Sequence, residues 1–422
     1  MINRKLSRIL GPVLGSMVFI TSLSIGQVKV LADDKGNDNS VALKNAICHD
    51  YKDYSININK SVEQNGFKVT LDKVTGTKHN LNVVLKVESD KPIDKEKTEK
   101  FISEVTLGNS HSNNSCIWFD YLDDKSFIMH LNGKNHEDKE KFPEKGELRV
   151  DLALPNYKVN VGIDAYVDFS KSFKKMIQEK IATKIPEFNL VLDELESNVV
   201  GTRFKCSGTY DEKNNEEKDS VNSFLILKKG NIMYRLSSDG FWLSDGEVEG
   251  EYIANSATYD RIKDTNDLSI IPIVGHMSYE EMYNMYEKDK ENIFNDKDKE
   301  ILNNVKYKKS FEFSDGNKGE IYNIERKDNK IRVYCKGSTE KAGFLMASNM
   351  VMYDEPNKET ESFNNTYDGS KYMSFYKNPN DELGYIVEFG NVKDNKLKEI
   401  HFDCTTSEID KYEIGNEVEI SK

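Results

Sequence analysis

The residue groupings in this 422-residue chain that come nearest to chemistry each lack a member. His136-Glu137-Asp138-Lys139-Glu140 opens like a zinc-protease helix, where two histidines one turn apart share the metal. Glu140 holds the place of the second histidine. Ser172-Phe173-Lys174-Lys175 has the spacing at which a lysine one turn away deprotonates a serine, yet no SDN or KTG partner occurs anywhere. Asp296, Asp298 and Glu300 echo a calcium loop, but Ile301 stands where glycine must turn the chain and Tyr307 where the bidentate glutamate belongs.

Two further groupings lie in SDGFWLSDGEVEGE. Asp239 and Glu247 are carboxylates of the kind a glycosidase pairs, although among 72 acids such pairs arise by chance. Phe241 and Trp242 offer a ligand platform or, as the simpler expectation, a sandwich core with the tryptophan inside. There is no GxSxG, Walker loop or dinucleotide fingerprint, and the seven histidines form no HxH or HxxxH pair. The expectation is a protein that is not an enzyme, with no catalytic residue, no cofactor, no cofactor-binding residue and no metal ligand.

What the sequence does spell is strands. FKVTLDKV at 67–74 is answered by FNLVLDEL at 188–195 and more loosely by GEIYNIER at 319–326. Each is followed by a second ladder, NVVLKVES at 82–89, GTRFKCSG at 201–208 and KIRVYCKG at 330–337, which aligns Val87 with Cys206 and Cys335. The chain is too long for one core. Three hairpins imply a mainly β protein of tandem immunoglobulin-like β-sandwich domains: 54–173, 174–305 and 306–422. Short helical joints are expected between them. Phe173, Met176, Ile177 and Ile181 fall at helical spacing before Pro186. A second helix is expected near 278–295, opened by the capping pair Ser278 and Glu281, and the charge-rich run after it forms the second joint.

Residues 1–32 differ in kind. Arg4, Lys5 and Arg8 precede an uncharged run from Ile9 to Ile25, and Val30-Leu31-Ala32 resembles a cleavage site, so this is an export signal or, if uncleaved, a membrane anchor helix. Residues 33–53 form a linker. The expected location is extracytoplasmic, secreted or anchored, with membrane contact only through residues 9–25 if uncleaved. The formal charge of −13 becomes −17 once the four bases and no acid of residues 1–32 are removed. That balance repels phosphate backbones, so no nucleic acid partner is expected. Five cysteines, Cys48, Cys116, Cys206, Cys335 and Cys404, are spread without CxxC pairs; Cys206 and Cys335 sit in apolar phase and are expected buried and reduced.

Residues 50–92, through YKDYS, INKSVEQNG and VTLDKV, resemble the uncharacterised domain that follows the membrane span in anti-sigma-factor-like proteins of low-GC Gram-positive bacteria. DRIKDTNDLSIIPI, at 260–273, resembles the companion domain often found next. The resemblance implies an extracytoplasmic β domain and no catalytic residue. Family members often carry a cytoplasmic segment before the span, whereas here only eight residues precede the apolar run, too few to hold a sigma factor. The expected function is a non-enzymatic binding, sensing or structural module of the envelope, meeting an unknown protein or envelope ligand. The alternatives are an envelope hydrolase using Asp and Glu and an extracytoplasmic partner in anti-sigma-type signalling.

Overall fold

The computed structural model describes residues 52–420 apart from 99, 136–140, 210–222, 245, 264–265, 279, 282, 285–286, 288–298, 304, 328–329, 355–372, 391–399 and 405–407. The export segment, most of the linker, Cys48, the His136 motif, Asp296 and Asp298 lie outside the described residues. The protein is mainly β, and it divides at Met176/Ile177 into two compact units.

The N-terminal unit contains β1 (Ile56–Gln64), β2 (Phe67–Gly76), β3 (Asn80–Ser89), β4 (Ile102–Leu107), β5 (Ser110–Tyr121), β6 (Ser126–Lys134), β7 (Lys145–Leu154) and β8 (Val159–Asp168). They form one antiparallel sheet in the order β1-β2-β3-β6-β5-β4-β7-β8. The sheet turns on itself, because its two end strands are tied by side chains: Lys60 Nζ donates to the Asp164 carbonyl at 2.7 Å and Asn65 Nδ2 to the Lys158 carbonyl at 2.5 Å. Inside lies one core, to which β2 and β3 contribute Val69, Leu71, Val74, Val83, Leu85 and Val87, all buried. In the immunoglobulin arrangement strands one, two, five and four share a sheet; here β1, β2 and β3 run together as a meander.

The expected joint helix over Phe173–Ile181 is not formed. A single helical turn, Ser170–Phe173, closes the unit, and β9 (Ile177–Ile185) follows as a strand. Period two wins because Ile181, Thr183 and Ile185 alternate inward and pair across the Pro186–Phe188 turn with β10 (Leu190–Asn198).

Beyond β10 the C-terminal unit continues with β11 (Gly201–Thr209), β12 (Phe224–Lys229), β13 (Ile232–Ser244), β14 (Glu247–Ala254), β15 (Leu268–Gly275), β16 (Lys299–Leu302), β17 (Val305–Lys308) and β18 (Ser310–Glu312). Then come β19 (Lys318–Lys327), β20 (Lys330–Gly337), β21 (Met350–Asp354), β22 (Met373–Lys377), β23 (Gly384–Phe389), β24 (Ile400–Cys404), β25 (Tyr412–Ile414) and β26 (Val418–Glu419). The large sheet runs β18-β19-β20-β23-β22-β13-β14-β11-β10-β9, with β12, β15, β25 and β26 attached beside β13, and β16-β17-β24-β21 form a smaller sheet.

The expected boundary at 305/306 is therefore no boundary between units. Met233 of β13 pairs with Phe375 of β22, and Ile273 of β15 pairs with Ile414 of β25. The charge-rich second joint folds from Lys299 onward as the β16/β17 hairpin. Two cores do exist here, and β12, β13 and β15 form the wall between them. Phe224, Ile226, Met233, Ile271 and Ile273 face one; Leu225, Leu227, Tyr234, Leu236, Leu268 and Ile270 face the other. Strands buried on both faces read as continuous apolar runs, and FLIL and LSIIPI are such runs.

The three hairpins are present as β2/β3, β10/β11 and β19/β20, and their cysteines or valine fall in three different cores. The register needs one correction. In β2 a bulge places Asp72 and Lys73 between the inward Leu71 and Val74; in β19 a bulge places Tyr322 and Asn323 between the inward Ile321 and Ile324. Leu71 pairs with Leu85 and Ile321 with Cys335, so Cys335 is the counterpart of Leu85, two positions from Val87.

Cys206 and Cys335 are both reduced and buried, as expected. Cys206 Sγ donates to the Gly250 carbonyl at 3.3 Å, and burial, with Asp193 and Glu251 nearby, pushes its thiol up to about 12. Because the thiolate is the reactive form, a maleimide should label both cysteines slowly in the native protein at pH 8 and fast in denaturant. Fast native labelling would contradict this packing. Replacing either by Val should cost less than about 1.5 kcal/mol.

Candidate ligand-binding face

The sheet segment β19-β20-β23-β22 buries one face under the helix Glu340–Ser348, which Thr339 caps by accepting from the Ala342 backbone N–H at 3.2 Å. Inward go Ile321, Ile324, Val333, Cys335, Val387, Phe389, Met373 and Phe375. Alternation sends Tyr334, Ile386 and Tyr376 to the other face, and they are direct cross-strand partners: Tyr334 pairs with Ile386, which pairs with Tyr376. Strand β19 adds a fourth side chain. With Ile321 and Ile324 both inward, Tyr322 and Asn323 must both point out, which brings the Tyr322 ring 6.2 Å from that of Tyr334. At the far end Ile232, one residue before the β13/β22 pair Met233 and Phe375, is 42 % exposed. The row crosses five strands, about 19 Å at normal strand spacing.

Ile386 is buried beneath its neighbours, Tyr322 is 40 % exposed, and Tyr334 and Tyr376 are half-buried. Tyr322 is held in place: Asn378 Nδ2 donates to its hydroxyl at 2.7 Å, and Lys336 Nζ lies 5.5 Å above its ring. Burial raises the hydroxyl pKa of all three tyrosines, and Glu325 adds to this at Tyr334. They remain neutral donors across the physiological range.

Charged pairs flank the row. Glu388 accepts from Lys330 Nζ at 2.9 Å and Arg332 Nε at 3.0 Å; burial works to raise its carboxyl, but the two cations win and hold it below its ordinary value. Lys336 pairs with Glu320 at 3.0 Å. Beyond Asn378 the turn 378–383, with Glu340 and Lys377, lines an open cavity of about 540 Å³.

The groupings singled out in the sequence do not assemble. Asp239 sits at the β13 bulge opposite Glu251, four residues along β14 from Glu247, a backbone offset of about 13 Å, so the two are not cross-strand neighbours. Ser172 is buried and donates to the Gly76 carbonyl at 2.5 Å and the Phe169 carbonyl at 2.9 Å, which ties its hydroxyl to the backbone. Glu300 accepts from Tyr307 and Lys309, each at 2.9 Å. Ser278 and Glu281 form the expected capping box, the carboxylate accepting from the Ser278 N–H at 2.8 Å, although Tyr283 of the expected apolar face is exposed. Trp242 is a correction: it is 47 % exposed and donates to Glu249 at 3.0 Å, while Phe241 packs inward over Gly250 and edge-on to Tyr252.

Two buried polar groups serve structure. Arg203 of β11 donates to Glu196 at 2.6 Å and Glu251 at 2.8 Å. In the N-terminal unit Asp72 is buried at its bulge; burial raises its carboxyl more than Lys73 and Lys86 lower it. A carboxyl whose folded value is raised favours folding in acid and opposes it once ionised. Asp72→Asn should therefore raise the melting temperature of this unit at pH 7, with the gain shrinking as the pH falls through the raised folded value and gone below about pH 4. A constant gain at every pH would count against this account.

No family model matches the chain, and no curated protein matches it. Among solved structures it is similar to the conserved domain protein from Bacillus anthracis, at 16 % identity and a TM-score of 0.40, the match covering 54 % of this chain and 80 % of that one.

Proposed function

We propose that this chain is a non-enzymatic, extracytoplasmic envelope protein whose tandem β modules, immunoglobulin-like in their layering, present the tyrosine row of β19, β20, β22 and β23 as a binding face. The observation that carries the reading is that Tyr322, Tyr334 and Tyr376 occupy the solvent phase of strands whose opposite phase already fills a core. Core packing does not require aromatic rings there, and exposed aromatic clusters rimmed by polar groups mark interaction sites. The basic start and uncharged run of residues 1–25, together with the resemblance of residues 50–92 to an anti-sigma-like extracytoplasmic domain, support the location. That resemblance also favours a second reading, in which the face meets a membrane signalling partner.

Native envelopes sedimented with purified protein test the proposal. Wild type should co-sediment, and a Tyr334→Ala, Tyr376→Ala variant of unchanged circular dichroism should lose at least about tenfold in affinity, since a stacked ring contributes roughly 1 kcal/mol or more. Equal sedimentation of the two proteins would sink the reading.

A further inference from the structure

We infer that the ligand of this face is an extended, uncharged polysaccharide chain, an inference that rests on the binding-face reading above. Three features of the face select that chemistry. The first is its charge. Arg332, Lys330 and Lys336 are matched by Glu388, Glu320 and Glu325, with Glu388 and Glu320 ion-paired at 2.9 to 3.0 Å and Glu325 lowering the acidity of the Tyr334 hydroxyl. A face that is neutral in sum offers no counter-charge to a sulfated, phosphorylated or strongly cationic polymer.

The second feature is backbone satisfaction. Tyr334, Ile386 and Tyr376 lie on strands paired on both sides, since β20 sits between β19 and β23, and β22 between β23 and β13. A peptide adding itself as a strand needs a free edge; Tyr334, Ile386 and Tyr376 lie on none, and of the row only Tyr322 stands on a strand, β19, whose outer neighbour β18 pairs with residues 318–320. The third is shape and composition. The rings of Tyr322, Tyr334 and Tyr376 span four strands, about 14 Å, with the aliphatic member between them, Ile386, buried between tyrosines. A pyranose presents an apolar C–H face that lies flat on an aromatic ring and an equatorial rim of hydroxyls. The strip supplies rings for the first, and neutral phenols and the half-exposed Arg332 guanidinium for the second. Successive sugars of an extended chain would engage successive rings, each contact weak and the sum adequate.

Calorimetric titration of the full-length protein with chitohexaose, cellohexaose, a heparin hexasaccharide and a proline-rich decapeptide tests the inference, with envelope sedimentation run in parallel. At least one uncharged hexasaccharide should bind, with affinity changing less than about twofold between low and high salt, since no counterions are released. Tyr334→Ala should weaken it about tenfold, Tyr334→Phe less, and Trp242→Ala not at all. If neither uncharged hexasaccharide binds while envelope sedimentation still depends on Tyr334 and Tyr376, the polysaccharide inference is overturned and the binding face stands. Tyr-dependent binding of heparin or of the peptide in place of the neutral sugars overturns it in the same way. If sedimentation is indifferent to the tyrosines, the binding-face reading falls as well.

Discussion

Leu225→Ala and Ile226→Ala, adjacent in β12 but facing different cores, should each lower one and the same unfolding transition. Both side chains are fully buried, and truncating a buried Leu or Ile to Ala costs about 2 to 5 kcal/mol through lost transfer energy and the cavity left behind. Were the chain divided at 305/306, Leu225→Ala would act on one domain, and Cys335 and its neighbours would melt independently of it. With the wall shared, calorimetry should show one peak for the C-terminal unit that moves down in both variants, and a second peak for the N-terminal unit that does not move. Two C-terminal peaks, one lowered by both substitutions and the other moved by neither, would restore the three-domain picture.

The second large effect concerns Arg203. Its guanidinium is buried with Glu196 and Glu251; burial opposes its charge, the two carboxylates more than compensate, and its pKa is raised. Arg203→Met removes the cation and leaves carboxylates with side-chain exposures of 1 % and 4 % beside one another. Breaking a buried pair on one side typically costs about 3 to 5 kcal/mol, much of it the penalty of the charge left behind. Arg203→Met should therefore cost that much, and adding Glu196→Gln and Glu251→Gln should recover most of it, because neutral amides need no counter-charge. Urea unfolding of the single and triple variants measures both. A triple variant no better than the single one would show that the arginine acts through packing alone.

The hairpins were legible because at least one strand of each pair alternates regularly: Val69 and Leu71 against Leu85 and Val87, and Val333 and Cys335 facing Ile321 and Ile324 across the β19 bulge. Where a second signal overlaps the alternation, reading fails. Met176, Ile177 and Ile181 happen to match helical spacing, yet Thr183 and Ile185 continue a two-residue period that only the β10 partner makes decisive. The fusion of the last two expected domains was written in FLIL and LSIIPI, whose lack of polar alternation marks strands buried on both sides; the sequence cannot say that the two sides belong to different cores. The candidate face was also present as a pattern. RVYCKG, MSFYK and GYIVEF carry large side chains in both phases, and the outward phase holds Tyr334, Tyr376 and Ile386. Their alignment into one row depends on strand order β20-β23-β22, which nothing local encodes. Tyr322, next to the inward Ile321, already falls in the outward phase, and the bulge sets Asn323 beside it.

The pairing of β15 with the last strands sets a timetable for synthesis. Ile270 pairs with Val418 and Ile273 with Ile414, so one edge of the most apolar strand in the protein waits for residues made about 150 positions later. At roughly 5 to 20 residues per second that is on the order of 10 to 30 s with an open template for a neighbouring nascent chain. Pro272 stands on that edge. Its carbonyl accepts from the Gly415 N–H at 2.8 Å, at the gap between β25 and β26, and its nitrogen has no hydrogen to offer. The same residue that interrupts the final ladder also withholds a donor from any premature one.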